Sequence, residues 1–205
     1  MILGLWPDQA IFLVWDFWIV TWIAAALWSS RAVNRPGVAR EFSYRVLALL
    51  GFILLFFSPL YARNGHWHFR DPPGIFGTHL WPYPPLAIGW AMVVLAAAGI
   101  AFAWWARVYL GSLWSGSITR KEGHHVVDTG PYALVRHPIY TGLLTAATTA
   151  IAIGEIHTVL GALCLIAAYW MKARLEESFL REELGPDAYD SCRARVPMLV
   201  PFSPR

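Results

Sequence analysis

Residues 130–142, GPYALVRHPIYTG, set a phenol (Tyr132), a guanidinium (Arg136), an imidazole (His137) and a second phenol (Tyr140) around a proline at the mouth of an apolar run. Downstream, YWMKARLEESFLREELG carries Lys172, Arg174, Glu176 and Glu177 away from a second apolar run. Ionisable groups beside membrane-length segments are costly and usually functional, so these two clusters are where a ligand is expected. Pro138 suits the first turn of a helix, where its missing N–H loses no partner, and it biases His137 away from helical backbone. His137 is therefore expected as a bend residue whose ring faces something other than the next turn.

A bland account competes. Arg136 would snorkel to headgroup phosphates, His137 would cap the helix and Tyr140 would sit in the aromatic belt. The downstream cluster would be a solvated helix laced with the pairs Lys172–Glu176, Arg174–Glu177 and Glu177–Arg181, stopped by Gly185 and Pro186. That account treats each residue separately and leaves their conjunction unexplained.

The elements that must position these residues are helices in a bilayer. Of 205 residues, 57% are apolar, 14% are charged and twelve are tryptophan, a composition that points to an all-α integral membrane protein. A span needs about 20 apolar residues, and five candidates are expected: about Gln9–Ser29 (with one charge, Asp16), Tyr44–Tyr61, Leu86–Ala106, Ile139–Ile153 and Ile156–Met171. The last two, separated by Gly154 and Glu155, form an antiparallel hairpin. Residues 1–205 read as one membrane domain, with three N-terminal helices in 1–106 and a catalytic region in 107–205.

With the N-terminus outside, only Arg63 and Arg70 of the sixteen Lys and Arg residues face out. This sets the C-terminus and the polar face in the cytoplasm, in a bacterial-type inner membrane. A cleaved signal is disfavoured because Asp8 and no basic residue precedes the first apolar run. The net charge of +3 suits anionic headgroups, and no basic run suggests nucleic acid. Cys164 and Cys192 read as filler and surface thiol, without a disulfide or metal.

The outer loop, residues 61–85, holds His66, His68 and His79 but also five prolines; turn and polyproline structure is expected there rather than a metal site. Asp16 lies near enough to the outer end to reach water. The segment from Arg107 to His137 is broken by Gly111, Gly116, Gly123 and Gly130, and irregular backbone at membrane depth is tolerated where it lines a cavity.

At GHHVVDTGPYALVRHPIYTG, RLEESFLREELGPDAY and RVPMLVP, over roughly residues 107–201, the chain resembles the isoprenylcysteine carboxyl methyltransferase family and the related membrane phospholipid N-methyltransferases. The resemblance implies methyl transfer from S-adenosylmethionine to an acceptor that partitions into the membrane. It implies that His124, His125, Val126, Val127, Tyr132, His137, Pro138, Ile139 and Tyr140 line the cofactor site, completed by Glu176 with Glu177 beside it. Arg174 or Lys172 would face the acceptor, and Arg174 and Glu176 are the candidate catalytic pair. Cys192 and Met198 depart from the family, which often has a tyrosine and a basic residue there, and put the tail contacts and acceptor class in doubt.

A carboxylate acceptor, as in isoprenylcysteine O-methylation, needs no general base, whereas an amine or thiol must lose a proton. Phospholipid N-methylation and thiol S-methylation are therefore the alternatives. A sterol-reductase-like enzyme using NADPH and a non-catalytic membrane scaffold are readings of other classes.

Overall fold

The computed structural model describes residues 6–27, 32–56, 61–63, 66–68, 80–82, 84–121 and 125–203. Six helices carry the chain: α1 Pro7–Ala26, α2 Val38–Phe56, α3 Leu86–Leu110, α4 Pro138–Ile153, α5 Ile156–Leu184 and α6 Pro186–Arg195. α1 packs on α3, α3 on α4, α4 on α5 and α5 on α2. Trp15 and Trp18 of α1 meet Phe52 and Phe56 of α2, so the five long helices form one bundle.

Close approach is set by glycine. A Cβ on Gly99 of α3 would lie 2.5 Å from the Gly142 carbonyl of α4, and one on Gly161 of α5 would lie 2.9 Å from the Gly51 carbonyl of α2. Small residues let backbones meet where lipid supplies no hydrophobic drive.

α1, α3 and α5 are each long and apolar enough to cross a membrane. α2 reaches further into polar sequence than expected, because Glu41 is buried in its first turn and accepts from the Ile118 N–H at 3.1 Å. α4 has sixteen residues, a rise of about 24 Å, less than a hydrocarbon core of about 30 Å. It begins at the His137 bend (φ −123°, ψ 62°) and ends at Gly154, whose φ of 81° is the left-handed cap between α4 and α5.

Two short ladders were not anticipated. β1 (Ala32–Asn34) pairs antiparallel with β4 (Arg120–Lys121), tying the loop before α2 to the polar insert. β2 (Tyr61–Arg63) pairs with β3 (His66–His68), which corrects the expectation of turn and polyproline structure over that part of the loop. His79, His124 and Gly123 lie outside the described residues. Asp16 is exposed on α1.

Candidate functional site

Because α4 starts late and α5 runs on for 29 residues, the bundle is uneven at one end, where the polar insert folds in. A cavity of about 210 Å³ lies there. Its walls come from the C-terminal halves of α1 and α3, the segment after α3, the start of α4, the polar half of α5 and α6.

The α3 end of the site is built by Arg107, which is 1% exposed. Its guanidinium donates to the Ala25 carbonyl at 2.8 Å and the Gly111 carbonyl at 2.9 Å, and its carbon lies 4.2 Å from the Trp114 ring centroid. One cation thus caps the end of α1, closes the Gly111 turn and sets Trp114 as a cavity wall. Gly111 needs its positive φ of 58° to turn there. Gly130 (φ 57°) also admits the Tyr109 ring, 2.6 Å from where a Cβ would stand.

Across the cavity, His137 stacks on Tyr140 with ring centroids 5.3 Å apart and planes within 5°. The Tyr140 hydroxyl donates to Glu176 Oε2 at 2.6 Å, and its ring lies 5.1 Å from that of Tyr169. Lys172, one turn before Glu176, donates from Nζ to the Gly116 carbonyl at 2.9 Å and sits 5.1 Å from the Tyr140 ring. Tyr132 directs its hydroxyl to the Ala106 carbonyl at 3.5 Å. Burial raises the Tyr132 and Tyr189 phenols well above the ordinary tyrosine value, with carboxylates of α5 adding to the effect, so both remain neutral donors.

Arg136 departs from the expectation that it meets headgroups. Its Nε donates to Glu177 Oε1 at 2.8 Å, with both side chains 7% exposed. Its Nη1 reaches the Arg193 and Val196 carbonyls. His137 Nε2 lies 3.3 Å from the same Glu177 oxygen.

Above them the tail closes over α4. The Arg136 and His137 N–H groups donate to the Pro197 and Met198 carbonyls at 2.9 and 3.1 Å, and the Thr141 hydroxyl donates to the Leu199 carbonyl at 2.6 Å. The strap satisfies N–H groups that a helix start leaves open. Glu177 is consequently not part of a solvated ladder, and Arg181 pairs instead with Asp190 of α6 at 2.8 Å. That contact holds the Asp190 carboxyl below its usual range.

Of the residues singled out in the sequence, the fold brings His125, Val126, Val127, Tyr132, His137, Pro138, Ile139, Tyr140, Lys172 and Glu176 to the cavity. Glu177 stands behind His137 and Arg136. Arg174 is not a lining residue: it is exposed, with its guanidinium 5.4 Å from the Trp170 ring on its own helix. Cys192 is a correction, because it is 3% exposed and lines the cavity beside Tyr189, not the surface. Burial raises its thiol pKa, with Asp128 adding to the rise. The departure at Cys192 thus reaches the cavity itself.

Sequence reasoning missed Trp18, Trp22, Trp114 and Tyr169 as walls. Arg107 carried a signal, a cation two residues after the Trp104-Trp105 pair at the end of an uncharged run.

The donor set suits S-adenosylmethionine. A carboxylate at Glu176 can take ribose hydroxyls or an ammonium, and the aromatic walls can take a purine or a sulfonium.

Comparison with known proteins returns the same family. The model of the isoprenylcysteine carboxyl methyltransferase (ICMT) family matches residues 91–182, a stretch that starts earlier than the resemblance read from the motifs and stops before α6 and RVPMLVP. A relative in Schizosaccharomyces pombe (strain 972 / ATCC 24843), named Protein-S-isoprenylcysteine O-methyltransferase, is 34% identical over 87 residues, 42% of this chain. That match spans 36% of the relative, so this chain is similar to the isoprenylcysteine carboxyl methyltransferase family over the segment that builds most of the cavity, and to about a third of that relative's length.

Proposed function

We propose that the chain is an integral membrane methyltransferase that moves a methyl group from S-adenosylmethionine to the carboxylate of a lipid-like acceptor such as an isoprenylcysteine. The observation that carries this reading is the cavity that joins Tyr140, His137 and Glu176 at one end of an apolar bundle, within the segment that matches the family. All five long helices are read as membrane helices, α4 stopping short of the far surface unless its flanks extend it, with the cavity end in the cytoplasm, so a polar cofactor enters from the cytosol and the acceptor from the bilayer.

S-Adenosylmethionine would supply an activated methyl group for an in-line displacement. The chain's own residues have little covalent work and supply positioning and electrostatics. Glu176, oriented by the Tyr140 hydroxyl, would hold hydroxyl or amino groups. His137, fixed by Glu177 and stacked on Tyr140, would line the reacting region. Trp114, Tyr132 and Tyr169 would exclude water. Lys172 would hold the acceptor's carboxylate, which attacks without losing a proton. The exposed Arg174 has no direct part in this arrangement and would instead meet headgroups or the polar end of an approaching acceptor.

Calorimetry tests the reading. S-Adenosylmethionine or its demethylated product should bind at micromolar levels while NADPH does not. His137→Ala and Glu176→Ala should each weaken binding by about tenfold. Full affinity in both variants would overturn the assignment, and NADPH binding in place of the sulfonium would favour the reductase.

A further inference from the structure

Arg107 sits in the last turn of α3 and stands outside the lining of the main cavity, whereas Trp114, over which its guanidinium lies, is part of that lining. A cation at membrane depth is costly to bury, and no step of the proposed transfer uses this one.

α1 and α3 meet in two rungs at the cavity end. Trp22 lies edge-on to Trp104 with ring centroids 5.3 Å apart, and one turn further along both helices Arg107 donates to the Ala25 carbonyl at 2.8 Å. The three-residue spacing, Trp22 to Ala25 and Trp104 to Arg107, sets both rungs on one face of each helix. Ala25 offers a carbonyl that a helix end leaves open, and a cation is favoured there.

Beyond Arg107 the chain turns at Gly111, whose carbonyl the same guanidinium holds at 2.9 Å. Trp114 then returns to place its ring centroid 4.2 Å from the guanidinium carbon and 5.4 Å from that of Trp22, at 90° to it. Two carbonyls and a ring face suit a planar fork, where an ammonium would act as a point charge. Trp22 and Trp114 both line the cavity, so the set of this wall depends on a side chain behind it.

We propose that Arg107 is a positioning residue: it clamps Trp114 against Trp22 and so fixes the aromatic wall against which the ligand packs. The identity of that ligand rests on the methyltransferase reading; the clamp does not. The clamp also ties α1, which lies outside residues 91–182, to a cavity built mostly from the segment that matches the family.

The test uses the full chain in lipid nanodiscs, with near-ultraviolet circular dichroism of tryptophan as a readout that needs no ligand and calorimetry with S-adenosylhomocysteine as the second. Arg107→Met should lose the part of the tryptophan signal that Trp114→Leu also loses, and each variant should weaken binding by about tenfold. Because Arg107 acts through that ring, adding Arg107→Met to Trp114→Leu should change affinity by less than about twofold. Arg107→Lys, which returns a cation to Trp114, should recover much of both readouts. Arg107→Gln, which can still donate to a carbonyl but gives Trp114 no cation, carries the same comparison should the methionine variant not fold. Gly161→Ala is the control for stability alone: its Cβ would lie 2.7 Å from the Leu55 nitrogen, at the α2–α5 crossing, so it should lower Tm and leave spectrum and affinity unchanged.

A tryptophan spectrum unchanged by Arg107→Met, losses that multiply to about a hundredfold in the double variant, or an equal loss of affinity in Gly161→Ala would overturn the clamp. A protein that binds no S-adenosylhomocysteine yet loses the Trp114 signal in Arg107→Met would keep the clamp and remove the methyltransferase reading instead.

Discussion

Breaking the Arg136–Glu177 pair should cost more than deleting it. Both side chains are 7% exposed and 2.8 Å apart, and removing one partner of a buried pair typically costs about 3–5 kcal/mol because the other charge is left behind. Glu177→Leu leaves Arg136 with the Arg193 and Val196 carbonyls, so its cost should sit near the lower figure, about 3 kcal/mol. Arg136→Met strands the Glu177 carboxylate with, among the described residues, His137 Nε2 at 3.3 Å and frees both tail carbonyls, which places it at about 5 kcal/mol by the same rule.

The double variant removes both charges and loses mainly the two carbonyl contacts, at about 1 kcal/mol each. It should therefore be more stable than Arg136→Met alone by about 3 kcal/mol. At roughly 2–4 °C per kcal/mol for a chain of this size, Glu177→Leu should lower Tm by about 6–12 °C. Tryptophan fluorescence on heating in detergent reads all three variants. If the double variant loses at least the sum of the singles, the two residues act independently and the buried pair is not what anchors the start of α4.

Other predictions follow from single contacts. Tyr140→Phe keeps the ring on His137 but removes the donor to Glu176 at 2.6 Å; stability should fall by about 1 kcal/mol while S-adenosylhomocysteine affinity drops several-fold in calorimetry, and unchanged affinity would take Glu176 out of the cofactor set. Gly142→Ala sets a Cβ 2.8 Å from the Ala103 nitrogen and should cost about 1–3 kcal/mol in the same melt. In a Cys164→Ser background, Cys192 should react with iodoacetamide at pH 8 more slowly than a free thiol. Burial holds its folded pKa above the ordinary thiol value, so the thiolate fraction at that pH is reduced and grows as pH rises. Bound S-adenosylhomocysteine should slow the reaction further, and fast alkylation unaffected by the ligand would place Cys192 outside the cavity.

Much of the bundle was legible because hydropathy and punctuation agree. The uncharged run from Leu86, the proline that starts α4 and the Gly154 cap each mark an element whose local chemistry suffices to define it. α5 was also readable past the membrane to Gly185. What was not legible depends on partners distant in sequence. The first turns of α2 look polar until Glu41 is seen to hold Ile118, and α6 has too few apolar residues to announce itself, its place being set by Arg181–Asp190 and by Tyr189 and Cys192 against the cavity.

The same holds for the site. Tyr132, His137, Tyr140 and Glu176, implied as a set by the family resemblance, do meet at one cavity, whereas Arg136 was given to headgroup or phosphate-like charge because its partners, Glu177 and the tail carbonyls, lie as far as 41 and 60 residues away. Arg174 and Lys172 could not be separated on spacing alone; the helix turns Lys172 toward the cavity and Arg174 toward Trp170.

The most direct test is transfer itself. Purified protein in nanodiscs should be given methyl-labelled S-adenosylmethionine and N-acetyl-S-farnesylcysteine, and the product treated with mild alkali. A carboxyl methyltransferase leaves a base-labile ester that releases labelled methanol. Label that stays on phospholipid amine or thiol after alkali, or no transfer by protein that melts cooperatively, would contradict the account.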